Sequence, residues 1–187
     1  NKLYVTTNEN DIMHRTLSDG DMSLKNVKST ISPSMDIQIS SNFERQLFES
    51  LDSNSNDLNN LMKEFFENKN KQLSNTLLQK LKKIYSSKSI NDSETIKIIQ
   101  YYYRKYNYVS DPHTATSLDI LKNINNEDLN ISLACAHPAK FPESIEKAID
   151  INIDKPEKLS DILSKKEKCV LMKNDFNTIQ DYILENI

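Results

Sequence analysis

An α/β, helix-rich fold is predicted by three features of this sequence. Lys2-Leu3-Tyr4-Val5-Thr6-Thr7 is a short β-branched and aromatic run that fits a buried strand. From residue 41 onward most apolar residues recur at helical spacing behind capping signals. A second short run of small and apolar residues, Ile131-Ser132-Leu133-Ala134-Cys135-Ala136, reads as another buried strand. Helices joined by a few isolated strands imply a layered protein whose strands pair with something else.

The elements come in this order. Asn8 and Asn10 are positioned to cap a helix that runs to about Leu17 and ends in the Asp19-Gly20 turn. Met35, Ile37 and Ile39 alternate with Asp36 and Gln38 at period two, after a polar stretch containing Pro33. Ser41 and Glu44 have capping-box spacing, ahead of Phe43, Leu47, Phe48 and Leu51 on one helical face. The polar stretch 52–57 marks a boundary. Leu58, Leu61, Met62, Phe65 and Phe66, then Leu73, Leu77, Leu81 and Ile84, predict a helical hairpin.

Asn91 and Glu94 make a second capping box, before a helix bearing Ile96, Ile99, Tyr103 and Tyr106. The surrounding tyrosines read as core and interface packing. Asp111-Pro112 places a cap and a first-turn proline ahead of a helix to about Lys122. Pro138 and Pro142 interrupt the chain beyond the second strand. Ile145, Ala148 and Ile149 predict one helix, Leu159, Ile162 and Leu163 another, and Asn174 caps a last helix carrying Phe176, Ile179, Ile183 and Ile187.

Composition excludes several functions. Gly20 is the only glycine, where average usage gives about thirteen. A phosphate cradle needs several, because the backbone must approach the phosphates in conformations that a Cβ forbids. The formal net charge of −3 leaves no electrostatic footprint for nucleic acid. The longest apolar runs are far short of the roughly 20 residues that span a bilayer. Cys135 and Cys169 are too few for a secreted disulfide framework, which points to the cytoplasm. The opening Asn1-Lys2, without an initiator methionine, reads as a processed chain or a piece of a longer one.

His14, His113 and His137 are far apart, and neither cysteine has metal-ligand spacing, so no metal site is expected. Cys135 and His137 are spaced to share a strand face, which does not position them for proton transfer, and a buried structural cysteine is the default reading.

Four blocks hold polar or small residues where packing alone would choose otherwise. They are Thr7-Asn8-Glu9-Asn10-Asp11, Ser40-Ser41-Asn42-Phe43-Glu44-Arg45, Asp111-Pro112-His113-Thr114-Ala115 and Ala134 to Glu143. In this order they resemble the C-terminal part of threonine synthase, closely over 1–50 and 106–148 and poorly across 52–105. The resemblance implies the C-terminal part of a fold type II pyridoxal 5'-phosphate (PLP) enzyme, a lyase that converts O-phosphohomoserine and water to threonine and phosphate in threonine biosynthesis. It further implies that 1–51 and 106–187 belong to the cofactor domain and that 57–105 is an all-helical insertion.

In that family a lysine in a Ser-Phe-Lys-Asp motif, upstream of the Thr-Asn-x-Asn-Asp block, holds the cofactor. No such motif occurs here, so the role is carried neither to Lys25 nor to Lys140, and the catalytic residues are left unassigned. The family's cofactor-facing threonine is replaced by Cys135, which the resemblance places at the ring nitrogen. Asn42, Arg45 and His113 are the candidates for the substrate side, since an arginine suits a phosphate or carboxylate. The expected partners are O-phosphohomoserine and the upstream part of the same polypeptide, and the isolated chain is expected to be inactive. The rival reading is a diverged stand-alone interaction module on the same scaffold.

Overall fold

The computed structural model describes residues 2–122, 124, 129–157 and 161–187. The chain divides into two compact units, Asn1–Ile153 and Asp154–Ile187.

In the first unit, strands β1 (Leu3–Thr7) and β2 (Tyr85–Ser89) pair in parallel, with Leu3 opposite Tyr85 and Thr7 opposite Ser89. Paired residues in a parallel ladder point to the same face, and successive residues point to opposite faces. Val5 and Ser87 therefore face one way, where Ser87 Oγ lies 3.0 Å from His14 Nδ1 on helix α1 (Ile12–Asp19). Thr6 and Lys88 face the other, toward helix α6 (Pro112–Leu121), where Thr6 Oγ1 lies 3.2 Å from Thr116 Oγ1 and Lys88 pairs with Asp119. Two helical layers thus sandwich a two-stranded sheet.

The polar sequence of β2 explains why hydrophobic periodicity does not mark it as a strand: its five side chains are half-buried, and Ser87 and Lys88 meet polar partners. The segment 57–105 is consequently helical apart from one strand, and that strand is the partner of β1.

Helices α2 (Phe43–Ser50), α3 (Ser55–Asn68) and α4 (Asn75–Ile84) pack with α1 around Ile12, Leu17, Phe43, Leu47, Leu58, Leu61, Phe65, Leu77 and Leu81. Phe48 and Leu51 line the same core from the half-buried edge. The cap of α2 differs from expectation: Asn42, not Ser41, precedes the first turn, and its side chain makes no capping bond. Gly20 ends α1 in a left-handed conformation at φ 77°, and a Cβ there would come within 2.8 Å of Gln72 Nε2. Residues 20–24 then bond in antiparallel fashion with 69–73, through Leu73 N–H to Gly20 O and Met22 N–H to Lys71 O.

Helix α5 (Asp92–Tyr106) starts at the capping box expected from Asn91 and Glu94. It packs on α6 and α7 (Pro142–Ile149) through Ile98, Ile99, Ala115, Leu118, Ile145 and Ala148. Its tyrosines are half-buried at best, and Tyr101 is covered by Lys122, whose Nζ lies 4.2 Å from the ring centroid.

The period-two alternation at 35–39 does not make a strand: a 3-10 turn at Pro33–Met35 leads into an irregular loop held by Asp36. Residues 131–136 form no strand either, because no neighbouring backbone among the described residues offers them a ladder; Leu129, Ile131 and Leu133 are 89%, 76% and 79% exposed. Cys135 is accordingly exposed rather than buried.

In the second unit, a 3-10 turn occupies Ile162–Ser164, where a helix was expected, and Leu159 lies outside the described residues. Helix α8 (Phe176–Glu185) is capped by Asp175 rather than Asn174, with the Asp175 carboxylate accepting both N–H and O–H of Thr178. No helix among the described residues is long and apolar enough to cross a membrane.

One charged group braces the turn after α1. Arg15 Nε donates to Asp11 at 2.9 Å, Nη1 to Asp21 at 2.5 Å and Nη2 to the Ser23 carbonyl at 2.8 Å. Burial pushes the Asp11 carboxyl up, but the bonds and charges of Arg15 and then Lys25 outweigh it and hold it below its ordinary 3.8. For Asp21 burial is likewise outweighed, by bonds from Ser23 and then by Arg15. A carboxyl depressed in the folded state contributes stability above its unfolded pKa that is lost as pH falls through the folded value. Arg15→Gln is expected to cost about 1 to 2 kcal/mol at neutral pH, between exposed and buried pairs, and to flatten stability against pH in the acid range. Urea unfolding across that range checks this; an unchanged acid slope in the variant refutes it.

Candidate functional site

The C-terminal end of β1 and the first turn of α6 each carry a cluster of buried polar side chains. Asn8, just past β1, is almost wholly buried. Its Nδ2 donates to Asp36 Oδ1 at 2.7 Å and Thr30 Oγ1 at 2.8 Å, with Ser32 Oγ at 3.0 Å. Asn10 joins the same carboxylate through Nδ2 at 2.9 Å, and its Oδ1 accepts the Lys28 N–H. Asp36 Oδ2 accepts the Thr30 N–H. These bonds fold residues 28–36 back against the end of β1, which is where ligands enter open α/β sheets.

The second cluster is built on Asp111, 1% exposed, at the N-cap of α6. Its Oδ1 accepts from His113 N–H at 2.9 Å and lies 3.0 Å from His113 Nδ1, while Oδ2 accepts from Thr114 Oγ1 and from Ala136 N–H at 3.2 Å. Thr114 Oγ1 in turn accepts from Cys135 N–H at 2.8 Å. His113 Nε2 accepts the Ser34 N–H at 3.2 Å, which assigns the ring proton to Nδ1. Phe141 packs on the same ring, centroid to centroid 4.7 Å.

Of the residues singled out from sequence, the structure therefore joins two. His113 and Cys135 meet through Asp111 and Thr114, although His113 is buried with both ring nitrogens engaged. Asn42 and Arg45, on the first turn of α2, are exposed, and among the described residues neither has a hydrogen bond or ion pair linking it to this cluster. Cys135 and His137 are not a nucleophile and base: Cys135 Sγ meets the Leu133 carbonyl, at 3.8 Å, and His137 Nδ1 accepts from Ala139 N–H. Sequence reasoning missed Thr114 and Asp36 as organising residues. Their signal is a polar side chain inside a helix's first turn or an apolar alternation, visible only once burial is known.

The chemistry of the exposed Cys135 fits one end of a flat aromatic cofactor. A thiol is a weak hydrogen-bonding group, and the flanking Ala134 and Ala136 carry small side chains. The described residues offer no phosphate cradle, since the one glycine is committed to the α1 turn against Gln72 and Leu73. Among the described residues no cluster of His, Cys, Asp and Glu is arranged to hold a metal ion.

Residues 114–183 match the family model for the C-terminal region of threonine synthase. The chain is 31% identical over 189 residues to threonine synthase of Pseudomonas aeruginosa and 33% identical over 215 residues to that of Saccharomyces cerevisiae, covering 99% and 100% of its own length. It spans about two fifths of those relatives, 40% and 41% respectively. A crystal structure of PLP-bound threonine synthase from Brucella melitensis superposes over 98% of this chain and 40% of that one, at a TM-score of 0.83 and 32% identity.

Proposed function

We propose that this chain, which in sequence and fold is similar to the C-terminal part of threonine synthases, completes an enzyme that turns O-phosphohomoserine and water into threonine and phosphate. The observation that carries the reading is the match along nearly its whole length to about two fifths of threonine synthases. A stand-alone interaction module has no comparable support. On this reading residues 1–51 and 106–187 belong to the cofactor domain, and β2 joins it from within 57–105.

PLP, when bound, supplies the electron sink that lets phosphate leave and water add. This chain's contribution is to place Cys135 at the ring nitrogen and to close the substrate side with Asn42, Arg45 and His113. Arg45 has no ion-pair partner among the described residues, which leaves its guanidinium available to a phosphate or carboxylate. His113 acts by holding the Ser34 backbone, because its ring nitrogens are already occupied.

The test is phosphate release from O-phosphohomoserine by the enzyme containing this chain together with the remaining three fifths of the family's length. Activity with a cofactor absorbance band is expected, and Arg45→Ala is expected to raise KM about tenfold or more by removing a charge-assisted contact. The 187 residues alone are expected to hold no stoichiometric cofactor through gel filtration. A complete enzyme that binds PLP yet releases no phosphate from this substrate would overturn the reading.

A further inference from the structure

Cys135 sits in a segment that no strand among the described residues holds, yet its backbone is fixed. The Cys135 N–H is taken by Thr114 Oγ1 at 2.8 Å and the next amide, Ala136 N–H, by Asp111 Oδ2 at 3.2 Å. In an extended strand successive amides point in opposite directions. Here two consecutive amides are drawn to the first turn of one helix, so the chain bends at this point. The bend commits the backbone to α6 and leaves the thiol outside, accessible to solvent.

The direction of each proton is set by the partners. Cys135 N–H can only donate, so the Thr114 hydroxyl accepts from it and gives its own hydrogen to Asp111. Asp111 is buried and takes its remaining hydrogens from the His113 and Thr114 backbone, His113 Nδ1 and Ala136. His113 Nε2 then accepts the Ser34 N–H, which belongs to the loop folded against Asn8. A set of hydrogen bonds thus runs from Ser34, in the loop folded against Asn8, to the backbone of Cys135. The hydroxyl of Thr114 is the link in that set that touches Cys135 directly.

We infer that Thr114 is a positioning residue for the cofactor ring: its hydroxyl, oriented by Asp111, sets the bend that presents Cys135. The inference rests on the reading that Cys135 meets the ring nitrogen, and goes beyond it by naming what holds that contact. Thr114→Val keeps the shape and removes the acceptor, freeing the Cys135 amide and leaving an Asp111 lone pair unfilled. Thr114→Ser keeps the hydroxyl.

The experiment uses the full-length enzyme and three readouts: hydrogen exchange at the Cys135 amide without cofactor, the absorbance maximum of bound PLP, and kcat against KM for O-phosphohomoserine. Thr114→Val is expected to speed exchange at Cys135, shift the absorbance maximum and lower kcat by about 10- to 100-fold, as a misplaced reacting group does, with a much smaller change in KM. Thr114→Ser is expected to restore all three. Cys135→Asp is the separating control. If it leaves the cofactor spectrum unchanged, the placement of Cys135 fails and takes this inference with it. If it shifts the spectrum while Thr114→Val changes neither the spectrum nor kcat, the inference alone is overturned. A Thr114→Ser variant as impaired as Thr114→Val also overturns it, since the hydroxyl is then not the operative group.

Discussion

Asn8→Asp is expected to cost about 3 kcal/mol of stability at neutral pH, although it changes one NH2 group into one oxygen. The Nδ2 of Asn8 lies 2.7 Å from Asp36 Oδ1 and is the donor on which Thr30 and Ser32 also converge. The substitution sets two carboxylates against each other in a site that is almost wholly buried. Both the lost donor and the like charge favour a shared proton, so the pair's pKa rises in the folded state. The folded variant then binds more protons than the unfolded one, and its stability falls as pH rises and recovers on acidification. Asn8→Ala loses the same bonds without that recovery. Urea unfolding of both variants across the acid range separates the two effects, and an Asn8→Asp variant as stable as its parent at neutral pH refutes the account.

Leu81→Ala is expected to remove about 3 to 4 kcal/mol, because Leu81 is 0% exposed at the centre of the core shared by α1 to α4. Ile84, one turn further along α4, is 40% exposed, and Ile84→Ala should cost less than about 1 kcal/mol. The contrast tests whether this cluster carries the unit's stability. Equal midpoints for the two variants in chemical unfolding would show that it does not.

Much of this fold is legible in the sequence where a local rule decides it. The Asn91–Glu94 capping box, the Asp111-Pro112 helix start and the Asp19-Gly20 stop all depend on neighbours within a few residues, and all stand where expected. The strands are misread where distant partners decide. Tyr85-Ser86-Ser87-Lys88-Ser89 carries no apolar alternation, yet becomes a strand because β1, His14 and Asp119 supply its contacts. Residues 131–136 have the apolar pattern of a strand and lack a neighbouring strand among the described residues.

The candidate site divides the same way. The motif blocks locate the polar residues around Asn8, His113 and Cys135, but not how they connect. That Asp111 holds His113 on one oxygen and Ala136 on the other is a relation across 25 positions, which no spacing rule encodes. Nor does the Ser-x-x-Glu pattern at 41–44 reveal that the helix begins one residue later, with Asn42 exposed.

The parallel pairing of β1 with β2 also sets the order in which this protein can assemble. Each residue of β1 is 82 positions from its partner, and the chain between them forms α1 to α4. At synthesis rates of roughly 5 to 20 residues per second, β1 waits about 4 to 16 s for its partner to be made. During that interval the core of α1 to α4 can condense from contacts of much shorter range, while the ladder bonds of β1 stay open. Slow codons between residues 3 and 85 would lengthen the vulnerable interval. Synonymous changes there should alter the soluble yield without altering a single side chain.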